Sequence, residues 1–401
     1  MDRLRGYLDR EGPLRPSTSV ILISAALTLL GVVMIGSVST GPETTAADPY
    51  AFTVKQMIFA GLGVLIAFIV SRIQLSFVLS QVRTVAIATW ILLVAVLVIG
   101  SVQLGAKRWI AVGPFHVQPS EIAKITIILL TASWAATRAG NLSDYMRGFW
   151  PGFGHVGGIC ILVILEKDMG TTLFLFALGA GCMWAGGARF LHLAGTSVAF
   201  LGAIGFVAWA MGSFDYVVRR LDGYASGSGA ANDQVAAGLD ALRTGGVFGT
   251  GLGEGSAHLG FVPKIHNDFI VAAVGEQLGL VGVLLLVAGY VFLFHAGWRI
   301  AESAKNRASY VIAFGVSLCI AMQAIFNLCV ATGLVPPKGI NLPFVSYGGS
   351  SLLVLGAAVG LLLAVAREND APATVPAAEL DELGMADDRA TGPTSLGGAA
   401  S

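Results

Sequence analysis

The chain has 401 residues, of which 55% are hydrophobic and 12% are charged. Soluble domains carry about 25% charged residues, so this composition, with a mean hydropathy of +0.77, excludes an ordinary soluble protein and predicts an integral membrane protein. The formal net charge of +0 gives no electrostatic reason to expect a nucleic acid partner.

Apolar runs that approach the length of a membrane span recur along the chain. A transmembrane helix needs about 20 mostly apolar residues, and about ten runs fit that requirement. They predict an all-α integral membrane protein with transmembrane helices near residues 19–38, 53–71, 84–101, 120–137, 148–165, 170–187, 192–213, 268–297, 309–333 and 347–366.

Basic residues near the ends of these runs predict how the chain is oriented. Lys and Arg recur in residues 1–18 and in alternate loops, whereas the first loop on the opposite side has neither. Because Lys and Arg concentrate on the cytoplasmic side, we expect both termini in the cytoplasm. The membrane domain is then 19–366, with a large outer loop at 214–267 between helices 7 and 8. The polar tail, 367–401, is expected to be a disordered cytoplasmic segment.

A short predicted outer loop at 102–119 carries two cations beside an aromatic residue. Lys107 and Arg108 lie on the outer side, where basic residues are disfavoured, and Trp109 suits the membrane interface. Cations at this place could hold a pyrophosphate or an anionic sugar. Ordinary contact with lipid headgroups is the alternative interpretation.

The next predicted helix opens with the polar sequence QPSEIAKI, residues 118–125. Ser120 can cap the helix, and Glu121 and Lys124 lie one turn apart, as the members of an ion pair would. An ion pair at membrane depth predicts a polar cavity between helices.

The large outer loop contains TGGVFGTGLGEGS, residues 244–256, with Gly at nearly every second position. Glycine lets the backbone approach a ligand closely or adopt a positive φ. A phosphate cradle is one interpretation, but the segment does not follow a strand of a soluble α/β unit. The pattern favours a flexible loop that lies against the membrane near a lipid-linked substrate.

Asp268 follows this loop at the start of a predicted helix. One interpretation is a helix N-cap, since Asn267 and Asp268 are good capping residues and a carboxylate favours that end of the helix dipole. The other is a general base, placed where a polar substrate meets lipid and where desolvation would raise its pKa. The two roles are compatible.

Glu276 lies inside the apolar run that follows. An ionisable residue within a membrane span is a functional-site hypothesis, and a structural ion pair with a buried cation such as Lys124 is the alternative. His258 and His266 could join Asp268 as metal ligands, but their spacing matches no standard site, so no metal site is predicted.

Four stretches together resemble the SEDS family (shape, elongation, division and sporulation), which includes FtsW, RodA and SpoVE. GAKRWIAVGPFHVQPSEIAK, 105–124, is similar to the family's G-x-x-R-W…Q-P-S-E-x-x-K segment, and EKDMGTT, 166–172, to its P-D-x-G-T element. Residues 245–279 resemble its Gly-rich loop with the P-E-x-H-T-D-F and E-E-x-G pieces, and LPFVSYGGSS, 342–351, is the most specific match. The resemblance covers about residues 20–366.

The resemblance implies a peptidoglycan glycosyltransferase that polymerises lipid II, the undecaprenyl-diphosphate-linked disaccharide pentapeptide. The reaction would take place at the outer face of the cytoplasmic (inner) membrane. It implies a class B penicillin-binding protein, a transpeptidase, as partner, with other division or elongation proteins. Asp268 is the implied catalytic base, and a divalent cation could share the diphosphate-binding role. The residues expected to bind substrate are Lys107, Arg108, Trp109, Gln118, Glu121, Lys124, Asp168, Gln234, His258, Lys264, His266, Glu276, Lys338, Ser346 and Tyr347.

The sequence departs from the family pattern close to the implied site. Lys264 stands where the family has an acid, Val235 follows Gln234 where it has Ser, and Lys167 stands where it has Pro. Two other functions therefore stay open: a flippase for a lipid-linked precursor, and a non-catalytic scaffold for the penicillin-binding protein. The N-terminal segment and the polar tail favour an FtsW-like protein.

Overall fold

The computed structural model describes residues 14–39, 50–103, 106–113, 115–138, 144–210, 230–255, 268–336 and 339–371. The predictions made for the rest of the chain lie outside the described residues. They concern most of the N-terminal segment, nearly all of the tail, and the four side chains His258, Lys264, His266 and Lys338.

Helices make up most of the described chain. Their bounds are α1 Pro16–Val38, α2 Ala51–Arg72, α3 Leu75–Ser80, α4 Val82–Ile99, α5 Pro119–Thr137, α6 Trp150–Leu165, α7 Met169–Ala185, α8 Phe190–Ala210, α9 Ala230–Gly245, α10 Ile270–Glu302, α11 Arg307–Ala331 and α12 Gly349–Asp370. A π-helical turn, Tyr145–Phe149, leads into α6.

Each of the ten predicted spans coincides with one of these helices, and the all-α membrane fold is confirmed. Among the described residues, seven helices are long and apolar enough to cross a membrane: α1, α2, α4, α6 with its π-helical turn, α10, α11 and α12. The apolar stretches Met169–Ala185 and Phe190–Phe206 are shorter, and α5 carries Glu121 and Lys124. The total of ten spans stays a prediction.

Two structured elements occur where the sequence predicted loops. Three strands form an antiparallel sheet in the order β1-β2-β3: β1 Ser101–Gln103, β2 Ala106–Val112 and β3 Phe115–Val117. The large loop contains α9, which buries Val235 and Ala241 and leaves Asp240 exposed. A search for continuous apolar runs misses an amphipathic helix of this kind, because only one of its faces is apolar.

The centre of the membrane domain is a group of mutually packed helices. Helices α5, α7 and α11 pack against one another, and α10 packs against α1, α9 and α11. Small residues permit close approach: a Cβ on Gly31 would lie 2.6 Å from the carbonyl oxygen of Phe344. The chain at Phe344, between α11 and α12, therefore lies against the side of α1, and residues 342–346 around it are buried.

Candidate active site

Helix α10 is broken near its start, at Gly279. This residue has φ 68° and ψ −168°, a conformation that is essentially restricted to glycine. A break in the helix leaves backbone amides and carbonyls without helical partners, which is costly in a membrane unless other protein groups satisfy them.

The glycine-rich segment supplies those partners. The amides of Thr250 and Gly251 donate to the carbonyls of Glu276 and Gln277 at 2.9 and 3.1 Å. In the opposite direction, Leu280 donates its amide to the carbonyl of Gly246 at 2.9 Å. The expectation of a flexible loop is therefore wrong for the described part of this segment, residues 244–255. Its amides are used to support a helix break.

The alternating glycines have a conformational reason. Gly249, Gly251 and Gly253 have φ of 83°, 108° and 82°, which disfavours residues with a side chain. The amide of Gly253 also donates to the hydroxyl of Ser37 on α1 at 3.0 Å, and Ser37 donates to Oε1 of Gln277 at 2.5 Å. The segment thus joins α1 to the break in α10.

Glu276 is buried within this support and is 1% exposed. A Cβ on Gly255 would lie 2.7 Å from its Oε2 atom, so the glycine segment covers the carboxylate. The structure does not show the alternative that the sequence left open, an ion pair between Glu276 and Lys124. Lys124 forms its ion pair with Glu121 on its own helix.

Asp268 lies one residue before the position that caps α10. The helix begins at Ile270, with Phe269 in the N-cap position, so Asp268 does not occupy the N-cap position that the sequence predicted. Phe269 is 1% exposed and packs against Gly238 of α9, where a Cβ would lie 2.9 Å from its ring. Asp268, next to this buried ring, is itself only partly buried.

Asn327 on α11 connects Asp268 to the segment 339–348. Its Nδ2 donates to the carbonyl of Asp268 at 3.3 Å and to that of Ile340 at 3.0 Å. On the same segment, Gly339 faces the carboxylate, because a Cβ there would lie 4.0 Å from Oδ1 of Asp268. Asp268 is thus placed between α11 and this segment.

The Glu121–Lys124 ion pair predicted from the sequence is confirmed. Lys124 Nζ donates to Glu121 Oε1 at 2.7 Å and to Gln323 Oε1 on α11 at 3.0 Å. It also lies 5.4 Å from the ring centroid of Phe174 on α7. Gln323 and Asn327 are four residues apart and therefore share one face of α11, so a single row of amides leads from the buried pair to Asp268.

Arg108 and Asp168 form a second polar cluster. Arg108 Nη2 donates to the carbonyl of Lys167 at 2.7 Å, and its Nε lies 3.5 Å from Oδ2 of Asp168. Asp168 also caps α7 by accepting the amide of Thr171 at 3.1 Å. The cluster therefore fixes a guanidinium at the start of α7, less than two turns from Phe174 beside Lys124.

The same turn contains Glu166, which is not among the residues expected from the sequence to bind substrate. It is 1% exposed, and neither carboxyl oxygen has a hydrogen-bond partner among the described residues. Its pKa is raised to about 8, mainly by burial and also by the Asp168 carboxylate, with Arg108 acting in the opposite direction. The signal available in the sequence was a carboxylate at the end of an apolar run.

Lys107 and Arg108 do not act as a pair. Side chains alternate between the two faces of a strand, and β2 carries both residues in succession. Lys107 Nζ turns back to the carbonyls of Leu97 and Val98 at 3.3 and 3.5 Å, whereas Arg108 contacts the turn before α7. Lys107 therefore supports the end of α4. Trp109 is half-buried, and its carbonyl accepts the Ser101 hydroxyl at 3.2 Å.

Ser346 and Tyr347 help to shape the segment 339–348. The Ser346 hydroxyl accepts the Leu342 amide at 2.9 Å, and its carbonyl accepts from Gln56 at 3.3 Å. The Tyr347 ring contacts that of Phe52 edge-on, with centroids 5.1 Å apart. Ser346 is 3% exposed, and its described contacts hold the fold of the segment, so its expected role in substrate binding stays a prediction.

The remaining described candidates are less informative. Gln118 is buried in the N-cap position of α5 without forming a side-chain cap bond. The predicted cap, Ser120, lies inside the helix, and its hydroxyl has no hydrogen-bond partner within the described chain. Gln234 lies half-buried on α9, and no described contact connects it to Asp268.

Within the described ranges, no three His, Cys, Asp or Glu side chains come together in a way that could hold a metal ion. Asp168 and Glu166 share a turn, but Arg108 occupies the space beside Asp168. The residues seen there do not fit a resident divalent cation. The expectation that such an ion accompanies the diphosphate of the substrate stays a prediction.

Comparisons with known proteins find one family. The family profile named for FtsW, RodA and SpoVE, described as "Cell cycle protein", matches residues 17–371. Stage V sporulation protein E of Bacillus subtilis (strain 168) is 32% identical over 361 residues, which cover 88% of this chain and 97% of that protein. A "Probable peptidoglycan glycosyltransferase FtsW" of Taylorella equigenitalis (strain MCE9) is 35% identical over 354 residues, covering 85% and 95%.

Solved structures share the fold. A chain from the structure described as "Structural coordination of polymerization and crosslinking by a peptidoglycan synthase complex" matches with a TM-score of 0.71 and 25% identity, over 88% of this chain and 98% of that one. The rod shape determining protein RodA of Thermus thermophilus matches with a TM-score of 0.64 and 24% identity, over 88% and 97%.

Proposed function

Because the chain belongs to the FtsW, RodA and SpoVE family, we propose that it is a peptidoglycan glycosyltransferase. It polymerises lipid II into glycan strands at the outer face of the cytoplasmic (inner) membrane, where it is a multi-pass protein. Relatives named "Probable peptidoglycan glycosyltransferase FtsW" support this activity and favour the FtsW-like branch, and with it a role in cell division.

The observation that carries the proposal is the position of Asp268. Its main chain is fixed by Asn327 and by the buried Phe269, while the residue itself stays partly exposed. A general base needs a fixed location and an open path to the proton that it removes. Of the two carboxylates at this end of α10, only Asp268 combines both properties, since Glu276 is covered.

The reaction then proceeds as one displacement. The 4-hydroxyl of the acceptor sugar attacks the anomeric carbon of the donor, and the Asp268 carboxylate takes the hydroxyl proton. The new glycosidic C–O bond forms as the bond to the undecaprenyl diphosphate oxygen breaks. A single displacement inverts the anomeric centre from α to β, so one base suffices and the second carboxylate of a glycosidase is not required.

The leaving diphosphate gathers negative charge, which positioned cations stabilise. Arg108 is the described cation best placed for this role, because Asp168 and the Lys167 carbonyl hold its guanidinium while the side chain stays about one-third exposed. Lys264, Lys338 and a divalent cation brought with the substrate are further proposals. Lys124, committed to Glu121 and Gln323, positions the helices around the site.

The partner that we propose is a class B penicillin-binding protein, which would cross-link the strands that this chain makes. The similarity to a chain of a peptidoglycan synthase complex that coordinates polymerisation and crosslinking supports this pairing. Other division proteins would join the same assembly.

The test is glycan-chain formation from purified lipid II by the full chain with the class B penicillin-binding protein of its own genome. Asp268→Asn is compared with wild type and with Asp240→Asn, which removes an exposed carboxylate of α9 paired with Arg243. We expect polymer from wild type and Asp240→Asn and none from an equally well folded Asp268→Asn. Polymer at the wild-type rate from Asp268→Asn would overturn the role of the base.

Absence of polymer from every variant, with the partner bound, would contradict the enzymatic proposal itself. A lipid-transport assay with the same proteoliposomes would then separate the two alternatives. Movement of lipid II between leaflets would indicate a flippase, which the buried Glu121–Lys124 pair between helices would suit. No movement would indicate a scaffold for the penicillin-binding protein.

A further inference from the structure

A groove separate from the candidate active site lies between α1, α2 and α12. Its volume is about 400 Å³, and most of its lining is apolar, including Ala25, Gly63, Val64, Phe68 and Leu352. Binding cavities for small molecules have volumes of about 300–1,000 Å³, so the groove is large enough for a ligand.

Close approach of small residues produces the groove. A Cβ on Gly63 would lie 3.0 Å from the carbonyl oxygen of Leu352, so α2 and α12 touch through their backbones and leave a furrow beside the contact. The furrow opens outward, since Ile21, Val64 and Phe68 on its walls are 50%, 65% and 56% exposed. In a membrane-spanning region, that exposed surface faces the hydrocarbon of the bilayer.

One end of the groove is basic. Arg72, at the end of α2, belongs to the lining, is exposed and lies over the ring of Phe68 at 4.9 Å. Arg367, at the end of α12, donates to the carbonyl of Ile73 at 2.8 Å and is also exposed. The acid next to it, Glu368, accepts hydrogen bonds from Asn306 and Ser309. Two guanidinium groups therefore stand where this apolar furrow meets the membrane surface.

From the furrow and its basic end we propose that the groove binds an anionic phospholipid of the cytoplasmic leaflet. One acyl chain lies between α1, α2 and α12, and the phosphate contacts Arg72 with Arg367 nearby. An arginine binds phosphate through paired N–H donors, and the apolar walls bury the chain. This site is independent of the transferase reaction proposed above.

The direction of the groove argues against the lipid-linked substrate as its occupant. Arg72 is at the predicted cytoplasmic end of α2, and a helix of 22 residues is about 33 Å long. A diphosphate at the outer surface, where Asp268 is expected, would therefore lie about one helix length from Arg72, beyond the reach of the guanidinium at the basic end of the groove. A phosphate in the inner leaflet meets both arginines.

The groove also reaches Phe344, in the segment 339–348. Phe344 has a φ of 68°, which is unfavourable for a bulky residue, and its carbonyl lies against Gly31. A bound acyl chain would add packing contacts on this side of the segment. We therefore expect the lipid to stabilise the folded protein.

The test measures lipid retention and melting temperature for the full chain, delipidated in a neutral detergent. Dioleoylphosphatidylglycerol is added and compared with dioleoylphosphatidylcholine, which has the same chains and no net charge. We expect the anionic lipid to be retained in native mass spectrometry and to raise the melting temperature, and Arg72→Gln to weaken its binding about 5-fold. Arg83→Gln, at the start of α4 and outside the groove, is the matched control that keeps the effect.

A second pair of variants tests the furrow itself. Ala25 and Ala26 are adjacent exposed residues of α1, and of the two only Ala25 lines the groove. Ala25→Trp should abolish retention of the anionic lipid by filling the space, and Ala26→Trp should not. Equal retention of both lipids by the wild type, or unchanged binding in both Arg72→Gln and Ala25→Trp, would overturn the proposal. So would displacement of the anionic lipid by undecaprenyl phosphate at equal concentration.

Discussion

The two carboxylates at the start of α10 lie eight residues apart and have contrasting surroundings. Asp268 lies before the helix, partly exposed, with its carbonyl bound by Asn327. Glu276 is 1% exposed and covered by a glycine segment that also binds its backbone. The difference indicates separate roles, because a group that exchanges protons with substrate needs access, whereas a covered one contributes to the shape of its surroundings.

The largest effect expected at a fixed pH comes from breaking the support of Glu276 without touching Asp268. Gly279→Ala places a Cβ against the Val247 carbonyl and the Gly249 amide in a backbone conformation that disfavours side chains. We expect a loss of stability on the order of 3 kcal/mol or more, seen as a lower melting temperature and poor yield in the membrane fraction.

Gly61→Ala is the control for this change. Gly61 lies within α2, and a Cβ there meets no atom within 4 Å, so alanine should be neutral or slightly stabilising, as in other helices. Equal melting temperatures for the two variants would contradict the structural role of the helix break.

The second prediction concerns the buried Glu121–Lys124 ion pair, at the far end of the row of amides that leads to Asp268. Lys124→Ala leaves the carboxylate of Glu121 and the amide of Gln323 without their cation. Breaking a buried ion pair by removing one partner costs about 3 kcal/mol, and a comparable loss of thermal stability is expected. The double variant Glu121→Gln/Lys124→Met should recover much of it. A double variant as unstable as the sum of the single ones would show that the pair is not coupled.

A third carboxylate, Glu166, is as buried as Glu276. It has no hydrogen-bond partner among the described residues, and its contribution to the free energy of unfolding depends on pH. Burial raises its pKa from 4.5 to about 8, so the folded state holds the proton more tightly than the unfolded chain. The stability that this provides is complete below pH 4.5 and is lost as pH rises through about 8. Glu166→Gln removes that dependence.

The free energy of unfolding of the wild type should therefore fall relative to that of Glu166→Gln as pH rises from about 5 to about 9. A shift of this size corresponds to a change on the order of 4 kcal/mol at most. Melting temperatures of both proteins across this range provide the measurement. Parallel curves would show that the Glu166 carboxyl titrates at its ordinary pKa.

Much of the helical framework could be predicted because it depends on local composition. The run 309–333 became α11, Arg307–Ala331, and the ion pair Glu121–Lys124 followed from helical spacing alone. The elements that were missed lack such a signal. The strands of the sheet at 101–117 are three to seven residues long, and α9 is amphipathic.

The site was predictable only in part, because its geometry depends on tertiary contacts. Motifs identified Asp268 and Arg108, but Gln323 and Asn327 are ordinary amides until α11 places them beside Lys124 and Asp268. The alternation that separates Lys107 from Arg108 required knowledge that 106–112 is a strand. Likewise, the role of the alternating glycines depends on hydrogen bonds to carbonyls of the broken helix, and the sequence alone does not show those contacts.

The most direct test of the contrast between the two carboxylates measures lipid II polymerisation and melting temperature together for Asp268→Asn and Glu276→Gln. A general base contributes about 10²–10⁴-fold to a rate. Asp268→Asn should therefore lose at least about 100-fold in activity at an unchanged melting temperature. Glu276→Gln should melt earlier while its folded fraction polymerises lipid II at nearly the wild-type rate. An active Asp268→Asn would contradict the role of Asp268 as the base. An inactive Glu276→Gln of wild-type stability would contradict the structural role of Glu276.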